Sequence, residues 1–280
     1  MPQDASLLDR IVHLIEIGGL SLPVYDPIAL KLQEAVATKT EDIGEIERLI
    51  ISDQALSAET LKAANSPFYC GLSPVRTIRN AIVRLGIQQM RRLVILVSEH
   101  TKYRARDAGL NKMLHDLWIH ASTTALAAQW LSKRLRSTGI EEICFLGGLL
   151  HDIGKLMILR AVDEIKREEN AEFQISNELL SEILATTHCQ LGFKLLQEWN
   201  VPEIYCQIAR DHHNEDLSPG DLSLAIVRLA NEGSRKLGLG LDPNPSLVLA
   251  ATPEASLLKV SEVVLAELEV MLEDHLCFAA

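Results

Sequence analysis

Apolar side chains recur every three or four positions along almost the whole chain, which is the period of a half-buried helix. In LLDRIVHLIEI, the residues Leu7, Leu8, Ile11, Leu14 and Ile15 make one stripe. LPVYDPIALKLQEAVA starts from a proline break at Pro23 and carries Ile28, Leu30, Leu32 and Val36. TEDIGEIERLIISDQALSAETLKAAN predicts two short helices. Thr40 can cap the first, with Glu41 and Asp42 where the helix dipole favours negative charge. Asp53 can cap the second, which runs to about Asn65. NSPFYCGLSP is a turn, with two prolines, a glycine and an asparagine. VRTIRNAIVRLGIQQMRRLVILVSEHTKYRA predicts a helix, a break at Gly86 and a longer helix.

Five further helical segments follow: LHDLWIHASTTALAAQWLSKRL, TGIEEICFLGGLLHDIGKLMILRAV, ISNELLSEILATTHCQLGFKLLQEWN, VPEIYCQIARDHHNED and PGDLSLAIVRLANEGSRKLG. Pro202 falls two residues into one of them and Pro219 precedes another. LGLGLDPNPSLVLAATPEA is the most loop-like stretch, and SLLKVSEVVLAELEVMLEDHL is a last helix. No strand-turn-strand pattern, Gly-rich phosphate loop or internal repeat is present. The pattern predicts an all-α protein of two packed helical lobes.

Composition agrees and adds a boundary. Hydrophobic residues make up 48% of the 280 residues but aromatics only 4%, so Leu, Ile, Val and Ala must fill the core. The net charge of −11 is uneven: residues 1–115 carry +1 and the remaining 165 carry −12. The acidic part repels a phosphate backbone, which excludes general nucleic-acid binding. The charge step suggests a soft boundary near residue 110. The divisions expected are an N-terminal lobe over 1–112, a second lobe over 113–236, and a loop with a C-terminal helix over 237–280. Between residues 76 and 112 nine basic residues face two acidic ones. This is either a solvated helix face or a docking face, with Arg84, Arg91 and Arg92 the candidate contacts.

The five cysteines (Cys70, Cys144, Cys189, Cys206 and Cys277) have no CxxC spacing and fit a reduced, cytoplasmic protein, with four of them as core fillers. No basic region followed by an apolar one marks a signal peptide, and no apolar run approaches the roughly 20 residues of a membrane span.

Candidate chemistry lies in the histidines. His13, His100 and His275 stand alone, while His115, His120, His151, His188, His212 and His213 fall in the second lobe with Asp116, Asp152 and Asp211. The pair His151-Asp152 interrupts the apolar run LGGLLHDIGKLMILRAV. Imidazoles and carboxylates are ligands for Zn, Fe, Mn and similar ions, and all-α domains build such sites from facing helices. Helix-end histidines equally satisfy backbone carbonyls, and the spacings here are long. His115-Asp116 also spells His-Asp, but five residues separate His115 from His120, so the two do not share a helix face.

The segment FLGGLLHDIGKLMI resembles the HD superfamily of metal-dependent phosphohydrolases. More specifically, the chain resembles the HDOD family, the HD-related output domains of bacterial signalling. SLPVYDPIALKLQEAV resembles the family's entry helix. LIISDQALSAETLKAANSPFYCG resembles a further segment through Asp53, Leu56, Leu61, Asn65 and Ser66, and TIRNAIVRLGIQQMRRLVI another through Ala81, Ile82, Leu85 and Gly86. LWIHA, GGLLHDIGKL, HCQLGFKLLQEWNVPEIY and DHH continue the match. The resemblance implies an HD-type helical core in the second lobe and a divalent transition metal (Fe, Mn, Zn or Ni) held by His120, His151, Asp152, His188, His212 and His213. It also places Lys155 where a phosphate would be met.

Two departures matter. Asn231 stands where HD enzymes end their ligand set with an aspartate, with Glu232 beside it, and DHHNEDLSPGDL lacks the Gly-Tyr-Pro of the cyclic di-GMP phosphodiesterase branch. The expectation is therefore a cytoplasmic regulatory module that binds a protein partner or a nucleotide ligand, through the groove between the lobes or the basic face, without turnover. The alternative is a metal-dependent phosphohydrolase acting on a nucleotide or cyclic nucleotide. No receiver, kinase or DNA-binding segment is recognisable, so input is expected from another chain.

Overall fold

The computed structural model describes residues 6–16, 43–51, 54–66, 69, 73–100, 102–137, 139–169, 175–214, 216–218 and 220–279. The entry-helix segment from Pro23, the proposed caps Thr40 and Asp53, Pro219 and Cys70 lie outside these residues, as do the side chains of Arg91, His275 and Cys277. Among the described residues every regular element is a helix. The chain divides into two units, residues 1–21 with 103–279 and residues 22–102. The charge step points to a boundary about ten residues later, and the N-terminal helix falls in the larger unit.

The smaller unit holds α2 (Ile43–Ile51), α3 (Gln54–Ala64), α4 (Ile78–Leu85) and α5 (Ile87–His100). Its turn is built by side chains. Asn65 donates from Nδ2 to the carbonyls of Leu61 and Val75 at 2.9 Å and accepts from the Val75 N–H at 2.7 Å. Ser66 donates to the Ala63 carbonyl at 2.9 Å. Asn65 therefore ties the end of α3 to the segment entering α4, and Ser66 closes the last turn of α3. Arg84 serves the same turn, donating to the carbonyls of Ala64 and Ser73 at 3.2 and 2.7 Å. Thr77 caps α4 by accepting from the Asn80 N–H. Gly86 ends it at φ +79°, a conformation glycine adopts without steric cost.

The larger unit contains α1 (Leu7–Glu16), α6 (Ala108–Arg134), α7 (Glu141–Leu150), α8 (Ile153–Glu169), α9 (Asn177–Glu198), α10 (Glu203–Asp211), α11 (Leu222–Lys236), α12 (Pro253–Leu257) and α13 (Glu262–Ala279). The long helix α6 is the spine, packing on α7, α8, α11 and α13. Ala127, Ala128 and Leu131 of α6 meet Ile226, Val227 and Ala230 of α11 and Leu268 and Leu272 of α13, all fully buried or nearly so. Burying each Leu or Ile contributes about 1.5–3 kcal/mol. Asp107 caps α6 by accepting from the Leu110 N–H at 2.9 Å and pairs with Lys166 of α8 at 2.8 Å.

Three details depart from the sequence pattern. The apolar run through His151-Asp152 is two helices, broken at that pair. Pro202 caps α10 rather than lying inside it. The last predicted helix is also two, broken between Leu258 and Ser261, where Lys259 takes φ +52°.

Arg228 of α11 and Glu254 of α12, 8% and 3% exposed, form a buried ion pair at 2.6 Å, and Arg228 also donates to the Asn214 carbonyl. Removing one member of such a pair leaves a buried charge uncompensated. Glu254→Ala is expected to lower stability by about 3–5 kcal/mol in a denaturant titration. A loss below about 1 kcal/mol, the range of an exposed pair, would contradict this.

Candidate metal centre

Four helical segments deliver five side chains to one buried point. His120 lies on the inner face of α6, His151 closes α7, Asp152 opens the step into α8, His188 lies within α9, and His212 closes α10. All five are between 1% and 4% exposed. Glycine permits this convergence. A Cβ on Gly154 would stand 2.0 Å from the His188 carbonyl oxygen, and one on Gly148 would stand 2.7 Å from Ala125 Cα. Gly240, at φ +90°, lies against the His120 ring.

The carboxylate of Asp152 sits between two pairs of imidazoles. Oδ2 is 3.6 Å from His120 Nε2 and 3.4 Å from His151 Nε2, and these two nitrogens are 3.2 Å apart. Oδ1 is 3.5 Å from His188 Nε2 and 3.4 Å from His212 Nε2, themselves 3.3 Å apart. Lys155 Nζ donates to Oδ2 at 2.9 Å.

The tautomers follow from the far side of each ring. Nδ1 of His151, His188 and His212 lies 2.7, 2.7 and 2.9 Å from the carbonyl oxygens of Gly148, Leu184 and Ala209. A carbonyl only accepts, so Nδ1 carries the proton and a neutral ring presents its lone pair at Nε2. Burial pushes His188 down to about 4 and His212 well below its ordinary value, against the opposing pull of Asp152. Burial is the leading cause that pushes His120 down to about 3. For Asp152, burial acts to raise the pKa. The Lys155 ammonium leads the opposing influences, and the carboxyl is held well below the usual range.

At neutral pH, therefore, the lone pairs of His188 and His212 face each other and Asp152 Oδ1 with no proton between them. Oδ1 and His120 Nδ1 are buried atoms with no hydrogen-bond partner. Two nitrogens, each about 2.0–2.1 Å from a tetrahedral centre such as zinc, stand roughly 3.4 Å apart. The donor separations here have that size. The residues fit a divalent cation, with His120, His151 and Asp152 Oδ2 on one side and His188, His212 and Asp152 Oδ1 on the other.

The remaining predicted residues are spread around this cluster. His213 follows His212, with its ring 5.3 Å from that of His188, and faces a cavity of about 840 Å³. The same cavity reaches Lys155, His188 and Cys189 and is flanked by Met113 and Asp116 of α6 and Leu184 of α9. Asn231 is 2% exposed on α11. His115 is exposed and takes no part.

The basic face fares differently. Arg84 is partly buried and engaged in the turn described above, and Arg92 is 5% exposed and donates to Gln89 Oε1 at 3.0 Å. Cys144 and Cys206 are buried fillers, as the sequence suggests. Cys189 is the residue that reading missed. Its Sγ is 3.3 Å from His188 Nε2, and burial, reinforced by Asp152, pushes its thiol up to about 12. Adjacency to His188 was its one signal.

An all-α unit with a His-Asp pair at a helix junction, ringed by histidines from facing helices, is a domain of the HD type. The sequence pattern of the HDOD domain matches residues 22–215, and the chain belongs to that family. An uncharacterised protein of Treponema pallidum is 27% identical over 230 residues, 81% of this chain and 42% of that protein. The chain thus spans about two fifths of that relative's length. Among solved structures, an HDOD domain protein of unknown function from Geobacter sulfurreducens aligns over 96% of both chains, with a TM-score of 0.70 and 23% identity. A Shewanella amazonensis protein, provisionally assigned as a metal-dependent phosphohydrolase, aligns over 98% of this chain and 96% of its own, with a TM-score of 0.69 and 20% identity. At these identities the likeness establishes the fold. No described helix is long and apolar enough to cross a membrane.

Two outcomes are expected. In the unfolded chain histidine titrates near 6.5, while His188 in the folded chain stays neutral to about pH 4. Between these values the unfolded state binds protons that the native state refuses. Stability of the metal-free protein should therefore be full above the upper value and fall with pH, by about 1.4 kcal/mol per pH unit for each such histidine. Denaturant midpoints across the window test this, and a flat profile would refute it. Separately, Gly154→Ala forces a methyl into the His188 carbonyl. It should cost about 1–3 kcal/mol or more in a thermal melt and lower the metal content.

Proposed function

We propose that the protein is a regulatory output domain of a bacterial cytoplasmic signalling pathway. In this reading its HD-type unit holds divalent transition metal and binds a phosphate-bearing small molecule there without turning it over. The observation that carries the reading is the pair of lone pairs at His188 Nε2 and His212 Nε2, 3.3 Å apart beside the unpartnered Asp152 Oδ1. Uncompensated, that arrangement is repulsive and leaves a buried carboxylate oxygen unsatisfied. A cation at this point answers all three groups at once.

His120, His151, Asp152, His188 and His212 would hold the metal, and the bound ion would attract phosphate oxygens. The cavity of about 840 Å³ lies within the roughly 300–1,000 Å³ range of small-molecule sites, a size compatible with a nucleotide. Lys155 lines it and adds a positive charge. Two features argue against turnover. Asn231 neither cancels cation charge nor acts as a base, and the Gly-Tyr-Pro segment is absent. Membership of the HDOD family supports the signalling role, with a protein partner receiving the output.

A second reading, hydrolysis of a nucleotide or phosphodiester, draws on Lys155, which touches both Asp152 and the cavity. One experiment separates the two. Protein purified without chelator is analysed for Fe, Mn, Zn and Ni, then offered nucleotides, cyclic dinucleotides and simple phosphodiesters. We expect stoichiometric metal that is lost in Asp152→Ala, saturable nucleotide binding by calorimetry, and no product by chromatography. Absence of metal would sink the reading, and metal-dependent product release would replace it with the second.

A further inference from the structure

The two sides of the Asp152 carboxylate are not equivalent. On the Oδ2 side, His120 and His151 share the oxygen with the Lys155 ammonium at 2.9 Å. Among the described residues no ammonium pairs with Oδ1, which is an unpartnered atom of a side chain only 3% exposed. A fourth donor lies there instead. Cys189 Sγ is 3.3 Å from His188 Nε2, and the ligand atoms of His188, Cys189 and His212 all lie within 4.8 Å of one another.

We propose that Cys189 is a metal ligand, so that the Oδ1 side is a His188, His212, Cys189 and Asp152 site selective for a thiophilic ion such as zinc. The inference rests on the metal-centre reading above and adds one ligand to it. Three arguments support it. A zinc–sulfur bond of about 2.3 Å and a zinc–nitrogen bond of about 2.0–2.1 Å, at a tetrahedral angle, separate S from N by roughly 3.6 Å. The observed 3.3 Å needs only a small shift.

Charge gives the second argument. Two dications around one carboxylate leave a large buried positive charge, and Asn231 stands where the resemblance expects a second carboxylate. As a ligand, Cys189 would contribute a thiolate, its proton released to solvent, and so supply the negative charge that Asn231 does not. The third is donor softness. Thiolate favours zinc and other soft or borderline ions over manganese or magnesium, while the Oδ2 side offers nitrogen and oxygen alone. The cavity reaches Cys189, so metal and solvent have a route to it.

The full-length protein, stripped with chelator and reloaded with Co(II), reads the ligand directly. A near-ultraviolet sulfur-to-cobalt charge-transfer band is expected. It should disappear in Cys189→Ser and persist in Cys144→Ser. Zinc affinity in Cys189→Ser should fall at least tenfold, with manganese binding changed less than twofold. Should Cys189→Ser fail to fold, X-ray absorption of the zinc-loaded wild-type chain needs no variant and should show a sulfur shell at about 2.3 Å. Bound cobalt without the band, or bound zinc without the sulfur shell, overturns Cys189 ligation and leaves the metal centre standing. A chain that takes up no metal at all overturns both.

Discussion

One buried carboxylate organises the larger unit. Asp152 stands among four imidazole nitrogens from α6, α7, α9 and α10, at separations of 3.4–3.6 Å. Desolvation penalises such a charge heavily, and Lys155 provides the direct salt bridge. Each helix that approaches must therefore present a polar atom to the centre while burying its apolar side elsewhere. The backbone contacts of His151, His188 and His212 solve the orientation problem, because each Nδ1–H is spent on a carbonyl of its own helix. The same hydrogen bonds make the opposite nitrogens basic and aim them inward, as in known metal-ligating histidines.

The second constraint is approach distance. Gly148 and Gly154 flank the His-Asp pair, and neither position tolerates a Cβ without moving backbone. The break between α7 and α8 belongs to the same device. His151 closes α7 in a helical conformation, with its N–H on the Gly147 carbonyl, and the Asp152 carbonyl accepts from the Lys155 N–H at the start of α8. Arg228 acts from outside, holding the chain just after His213 by its carbonyl at Asn214 and drawing its charge balance from Glu254.

Much of this could be read from the sequence. Helix existence followed from the apolar period, and the Asn65-Ser66 turn and the Gly86 break are local in origin. Asp152 and the named histidines were recognisable through family resemblance; their spacings alone left a ligand role and a carbonyl-satisfying role open, and the structure shows the carbonyl contact for His151, His188 and His212 while their Nε2 atoms stand around Asp152. The splits at His151-Asp152 and at Leu258–Ser261 were hidden because apolar periodicity runs through them and registers hydrophobic phase, not backbone turns. Arg84 and Arg92 looked like surface charge, since charge density does not reveal which guanidinium finds carbonyls or a glutamine inside. Cys189 differed from Cys144 and Cys206 only in following His188, because its neighbour across space, His212, lies 23 residues away.

The larger unit is discontinuous: residues 1–21 belong with residues 103–279, and α1 packs on α8. During synthesis α1 emerges before α8, the helix it covers, by about 150 residues, on the order of ten seconds at ordinary elongation rates. Through that interval Ile11, Leu14 and Ile15, all buried in the finished fold, have no native surface to cover. Residues 22–102, by contrast, are complete before the unit that brackets them. The order of synthesis thus leaves α1 waiting through that interval, a place where chaperone engagement and early misassociation would concentrate.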